Sequence, residues 1–431
     1  PVFLKVAEQV AGEMNRWAEG FLGYQTIKDW RKQLDFTTKI FRCRGLHLDD
    51  RHIRDADGVA LAASIADLCL YVVNNYKALQ AAGSSIVLYI PKVQRATEAA
   101  LWNKMLSALE EHLGLELGTI KVYLLVEQLE ATYQLMEIRA VLGKHFVGYN
   151  TGRWDYINSV SDAMAWDKTF INPNIESVTM TYGYMRHYED RVRRTVNTPD
   201  INGNCSIWQG GMEPNIPVGS AEGVSASMKK ALAGAEREQR EGASGKWVAH
   251  WKMVNIVRPV WEKAGEANQV GRQFPALSYT QDDADGLILL EPAPITIRGA
   301  RNLLSVAIQY GNAFAQGMQA AALKAADDFG NDDILYLMED MATGEIRLSI
   351  VWEWVHKGAK FTEDDSETGV NAGDTFSFEL LKRLIDEEYT KLLKADNKDV
   401  YDASKTTTLP IAREIAEIYV FNEFKIPWFI D

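Results

Sequence analysis

Short apolar, β-branched runs recur along the first part of the chain, at residues 2–6, 39–42, 86–90, 120–126, 146–149, 177–180, 205–208 and 246–249. Between them lie segments long enough for a helix, with apolar residues at i, i+3 and i+4, as in 61–79 and 96–113. Strands separated by helix-length connections predict a parallel sheet with helical crossovers. Eight such units predict an α/β fold, a closed (β/α)8 TIM barrel over residues 1–255. Past about residue 255 the strand signal fades, and helical patterns at 298–325, 346–356, 376–396 and 408–424 predict a C-terminal helical module over 256–431. The polar, acidic stretch 362–375 reads as a surface loop between two of those helices. Residues 220–244, with Lys229, Lys230, Arg237 and Arg240 among alanines and glutamates, read first as a solvated helix and second as a phosphate contact.

Composition narrows the function classes. With 47% hydrophobic and 10% aromatic residues, 431 residues are enough to bury a large core. A formal net charge of −13 without a basic stretch argues against nucleic-acid binding. The longest apolar runs, 122–126 and 86–90, fall far below the ~20 residues of a membrane helix. No basic, apolar leader opens the sequence, and the last residues, 428–431, are not a Ser-Lys-Leu address, so a cytoplasmic location is expected. Cys43, Cys69 and Cys205 show no Cys-x-x-Cys spacing, which argues against a disulfide framework or a cysteine zinc site.

In a barrel of this kind the chemistry sits where strands end. The second run ends in Arg42-Cys43-Arg44-Gly45-Leu46-His47, the fourth in Glu127, and the fifth leads into Asn150-Thr151-Gly152-Arg153-Trp154-Asp155. Glu127 and Asp155 are hard oxygen donors suited to Mg²⁺, with water and substrate completing the octahedron. Taken alone they equally suit a structural network with Arg44 or Arg153. Gly152 allows a sharp turn whose N–H groups can hold a small carboxylate, although an ordinary βα turn reads the same. Asp340 by pattern is a helix N-terminal acid. His47, His145 and His250 lie near strand ends without a serine or cysteine elbow, and are taken as packing and supporting groups. Trp247 and Trp251 suit either an apolar substrate channel or the barrel core.

These segments together resemble the malate synthase family, most closely its A-type isoform. The resemblance is carried by Arg42 to Leu48, Tyr89-Ile90-Pro91-Lys92, Gly118 to Lys121, Val126-Glu127, the block Gly148 to Ile157, Gly210-Gly211-Met212, Trp247 to His250, and Leu337 to Thr343, in the family's order. It implies that acetyl-CoA and glyoxylate condense to malate, that Glu127 and Asp155 ligate Mg²⁺, and that the amides of Gly152, Arg153, Trp154 and Asp155 hold the glyoxylate carboxylate. It further implies Arg42 as the catalytic arginine and Asp340 as the base, delivered by the C-terminal module. A thioester methyl group is a weak acid, so such a base works only if the enolate is stabilised as it forms, which is the role implied for Arg42. Arg44 reads as a structural ion-pair partner.

The sequence also departs from the family. With the first run read as the first barrel strand, the helical clasp of longer A-type enzymes is expected to have no counterpart here, which leaves the subunit number open. The acidic stretch that usually closes the first strand reads Lys5-Val6-Ala7-Glu8-Gln9, Trp251 stands where a proline is usual, and Ala342-Thr343-Gly344-Glu345-Ile346-Arg347-Leu348 departs from Ala-Thr-Ala-Glu-Ile-Ser-Arg. Two other readings stay open at this point: a malyl-CoA or citramalyl-CoA lyase on a related barrel, and a catalytically silent CoA-binding paralogue.

Overall fold

The computed structural model describes residues 37–395 and 408–426, so the predicted first strand and the Lys5 to Gln9 departure lie outside the described residues. The chain forms two compact units. Of the described residues, one gathers 37–151, 192–211 and 232–277; the other gathers 152–191, 212–231, 278–395 and 408–426.

The first unit is built on parallel strands. It opens with β1 (Ile40–Arg42), followed by an antiparallel pair, β2 (Asp49–Arg54) and β3 (Ala60–Ala62). Next come β4 (Ile86–Ile90), β5 (Ile120–Val126), β6 (Phe146–Thr151), β7 (Ile207–Glu213) and β8 (Lys246–Val248), and the six-stranded sheet runs β1-β4-β5-β6-β7-β8. Every residue of β4 is buried, as expected of a strand covered on both faces, which explains its unbroken apolar sequence. Helix Ala63–Ala81 connects β1 to β4 and helix Ala96–Leu113 connects β4 to β5. The second of these stops at Gly114, whose φ of +67° is the left-handed C-cap that glycine adopts without strain. Gly148 lets β6 and β7 approach closely, since a Cβ there would stand 2.1 Å from the Ile207 carbonyl oxygen.

The second unit is mainly helical. Helix Ile297–Ala315 packs on helices Met341–His356, Phe378–Lys394 and Leu409–Phe421. A two-stranded antiparallel ribbon, β9 (Ala320–Leu323) and β10 (Leu337–Asp340), leads into Met341–His356. Residues 342–355 of that helix are all buried, so it forms the centre of this unit.

Several boundaries differ from the sequence reading. Residues 177–180 form no strand. Their backbone groups are used locally instead, with Ser177 N–H donating to Asn174 O and Val178 N–H to Ile175 O, closing a turn. The run predicted at 205–208 forms a strand two residues later and extends to Glu213. The helix predicted over 298–325 stops at Ala315, where Gly317 at φ +82° turns the chain into β9. The segment 362–375 is an irregular loop between two helices, and the helix predicted over 220–244 runs Ala221–Glu241.

Candidate active site

Arg42 ends β1, exposed and in register with Tyr89 of β4. Tyr89 belongs to an aromatic and polar cluster. Its ring stacks on Tyr123 at 5.2 Å and meets Trp247 edge-on at 4.7 Å. Its hydroxyl accepts from the Trp247 indole N–H at 3.2 Å and donates to Gln209 Oε1, while burial pushes its acidity well below that of an ordinary phenol. Trp247 is therefore packed against a strand-end tyrosine. Arg44, the neighbouring arginine, pairs with Asp50 and Asp67 at 2.8 Å each, as the sequence suggested.

Glu127 directly follows β5 and is 1% exposed. A buried carboxylate must be compensated, and the loop after β4 does this through one residue. Lys92 donates its backbone N–H to Glu127 Oε1 at 2.6 Å and places its ammonium 3.6 Å from the same oxygen. Lys92 stands at φ +61°, in the left-handed region, a conformation that costs a non-glycine residue about 1–2 kcal/mol. Lys92 closes the segment Tyr89-Ile90-Pro91-Lys92, in which sequence alone assigns it no role. The histidines fill supporting positions: His145 Nδ1 lies 2.9 Å from Ile120 O, and His250 Nδ1 accepts from the Lys252 N–H at 3.2 Å.

In the second unit, Gly152 is the N-cap of helix Arg153–Ala163, so the amides that open this helix have no intrahelical acceptor and carry the positive end of its dipole. Arg153 sets its guanidinium 4.2 Å from the Trp154 ring centre and donates to Val178 O. Asp155 stands in the first turn, half-buried. Asp340 is both the last residue of β10 and the N-cap of helix Met341–His356. Its Oδ1 accepts from Thr343 N–H at 3.2 Å, and Thr343 Oγ1 accepts from Asp340 N–H at 2.8 Å, a reciprocal capping box. Beside it, buried Glu339 pairs with Arg347 at 2.8 Å.

The two helices pack side by side in parallel. Asn158 Oδ1 accepts from Ser349 Oγ at 2.6 Å, and Ser161 donates to Glu353. This pairing keeps a near-constant offset along both helices, so their N-terminal ends point the same way. Extended back, it sets Asp155 level with Ile346, six residues or about 9 Å of helical rise from Asp340. Thus Gly152, Arg153, Trp154, Asp155 and Asp340 gather at one end of a helix pair, and Arg42 and Glu127 share the strand ends of the first unit.

Comparison with known proteins adds the family. Residues 38–284 match the description "Malate synthase, TIM barrel domain" and residues 294–419 match "Malate synthase, C-terminal". The chain belongs to the malate synthase family. It is 31% identical over 365 residues to a malate synthase of Myxococcus xanthus, covering 84% of this chain and 62% of that protein. It is 32% identical over 380 residues to a glyoxysomal malate synthase of Candida tropicalis (86% and 63%), and 33% identical over 317 residues to malate synthase A of Escherichia coli (74% and 56%). The chain therefore spans less than two thirds of the length of these malate synthase relatives. Family membership assigns the six parallel strands to a TIM barrel, in agreement with the sequence reading. Among the described residues, no helix is long and apolar enough to cross a membrane.

Proposed function

We propose that this chain catalyses the malate synthase reaction: the methyl carbon of acetyl-CoA adds to the aldehyde of glyoxylate, and the thioester product is hydrolysed to malate and CoA. The observation that carries this reading is the parallel helix pair of the second unit, which aims the opening amides of helix Arg153–Ala163, Asp155 and Asp340 toward one end. A barrel of residues 1–255 holding the aldehyde and a module of 256–431 supplying the base is the domain arrangement that goes with it.

In this mechanism the amides of Gly152, Arg153, Trp154 and Asp155 hold the glyoxylate carboxylate, since a helix N-terminus favours anions. Asp340 takes a proton from the acetyl methyl group. As the N-cap it already accepts the Thr343 N–H at 3.2 Å on Oδ1, which fixes the orientation of its carboxylate. Arg42 stabilises the negative charge that develops on the thioester oxygen. Tyr89 and Trp247, packed together beside Arg42, contribute an apolar wall that excludes water from a reactive enolate.

Among the described residues there is no cluster of three or more His, Cys, Asp or Glu side chains suited to a metal. Two carboxylates are nevertheless a fitting donor set for Mg²⁺, which commonly takes one or two and keeps several waters. Glu127 and Asp155 would hold it, Glu127 being a buried carboxylate compensated on one oxygen by Lys92. When bound, the ion supplies Lewis-acid polarisation of the aldehyde oxygen.

The test is direct: acetyl-CoA, glyoxylate and MgCl₂ are mixed with the protein, and free CoA thiol and malate are followed together. Equal release of both supports the reading. Malyl-CoA without thiol release would point to a lyase, and no turnover with no Mg²⁺-dependent glyoxylate binding to a silent paralogue.

A further inference from the structure

Among the described residues, Lys92 is the sole non-glycine residue in the left-handed backbone region, at φ +61°. It lies in the loop that leaves β4, directly after Pro91, whose ring holds the residue before it in an extended conformation. The turn aims both positive groups of one lysine at a single oxygen. The backbone N–H stands 2.6 Å from Glu127 Oε1 and the ammonium 3.6 Å from that same atom. Glu127's side chain is 2% exposed and that of Lys92 is 16% exposed, so the pair is shielded from water. A second bridge joins the same two loops, with Gln94 Nε2 donating to Gln128 Oε1 at 3.3 Å.

An ordinary ion pair does not require this backbone. A lysine can reach a carboxylate with its flexible stem from any conformation, whereas only the left-handed turn also brings the amide onto Oε1. The strained residue therefore has a specific consequence: it fixes which oxygen of Glu127 faces the β4 loop.

We infer that Lys92 is a positioning residue for Glu127, its amide orienting the carboxylate and its ammonium acting as a resident cation with which a divalent ion must share that carboxylate. This rests on the proposal that Glu127 is a metal ligand. Removing the ammonium takes one positive charge away from a buried carboxylate, and Mg²⁺ then has more to compensate. Lys92 thus sets the balance between stability without metal and affinity for metal.

The experiment compares wild type, Lys92→Met, Lys92→Gly, Lys92→Arg and Glu127→Gln, all metal-free, by melting with and without MgCl₂ and by calorimetric titration of MgCl₂ without substrate. Lys92→Gly keeps the N–H and accepts the left-handed turn; Lys92→Met keeps the apolar stem. Both are expected to melt below wild type without metal, to regain more than wild type gains when Mg²⁺ is added, and to bind Mg²⁺ about fivefold or more tightly, the lower end of ordinary coupling between sites. Lys92→Arg, which keeps a cation, is expected to restore the wild-type response. If Glu127→Gln abolishes Mg²⁺ binding while Lys92→Met and Lys92→Gly lose the same number of degrees with and without metal and bind it as wild type does, Lys92 is merely structural and the inference is overturned. If Glu127→Gln binds Mg²⁺ like wild type, the metal-ligand reading fails first and takes the inference with it.

Discussion

Ser161 on helix Arg153–Ala163 donates its hydroxyl to the carboxylate of Glu353 on helix Met341–His356. Glu353 is fully buried and also accepts the Asn172 backbone N–H at 2.8 Å and both contacts of the Asn172 amide at 3.1 Å. One acid thus fastens the pair of helices whose N-terminal ends carry Asp155 and Asp340.

Replacing Glu353 by Ala strands the Ser161 and Asn172 donors in a dry interior, and is expected to cost about 3 kcal/mol in urea unfolding. Burial, the largest influence, holds this carboxyl above its ordinary value of 4.5, against the opposing effects of Lys357 and its hydrogen bonds. An acid raised in the folded state favours the protonated form, so its contribution to stability declines as pH climbs above 4.5 and the loss is complete above the folded value. Glu353→Gln should remove that decline, read as a flatter dependence of the urea midpoint on pH.

Gly148→Ala tests the approach of β6 to β7. The added Cβ would stand 2.1 Å from the Ile207 carbonyl oxygen, and backbone on both sides leaves no flexible end to yield. Destabilisation of about 3 kcal/mol is expected, the upper range for overpacking, with loss of the parallel pairing and therefore of soluble yield. A melting temperature like that of wild type would contradict the strand register Gly148 with Ile207.

Arg44 governs the acid side of the stability profile. Its guanidinium lies 2.8 Å from both Asp50 and Asp67, and its backbone N–H donates to Asp67 at 2.9 Å. The Arg44 hydrogen bond is the largest influence on each acid, holding Asp50 down at about 2 and Asp67 below its ordinary 3.8. Acids depressed in the folded state add stability that is present above 3.8 and lost as pH falls through the folded values. Arg44→Met should remove that acid-side slope, seen in melts between pH 5 and pH 2.

How far the sequence reached depends on what kind of information each feature needs. β4 was legible because a strand buried on both faces is a continuous apolar run, and β5 because its apolar residues outnumber the single charge at Lys121. The block around Gly152 to Asp155 was legible as residue types at a strand end. The ribbon of β9 and β10 was not, since Ala320-Ala321-Ala322-Leu323 carries helix-favouring residues and becomes a strand only by pairing with Leu337–Asp340. Residues 177–180 failed in the opposite sense, since apolar and β-branched content was outweighed by local turn hydrogen bonds. Lys92 was visible as a letter, but its left-handed backbone and its aim at Glu127 are facts of conformation that no side-chain pattern reports.

Asp340 poses a sharper question, because two roles coincide in one side chain. As an N-cap it satisfies the Thr343 amide, which any good capping residue can do. As a base it must accept a proton, which an amide cannot do. Asp340→Asn separates the two roles, since asparagine caps a helix about as well as aspartate. Urea unfolding should shift by no more than about 0.5 kcal/mol. The release of CoA thiol should instead fall by about a hundredfold or more, the ordinary contribution of a positioned general base, with a smaller effect on KM for glyoxylate than on kcat. Asp340→Ala should lose the cap as well, adding about 1 kcal/mol of destabilisation to the same kinetic defect. Activity that survives in Asp340→Asn with the fold intact would reduce Asp340 to its capping role and leave the proton transfer to another residue.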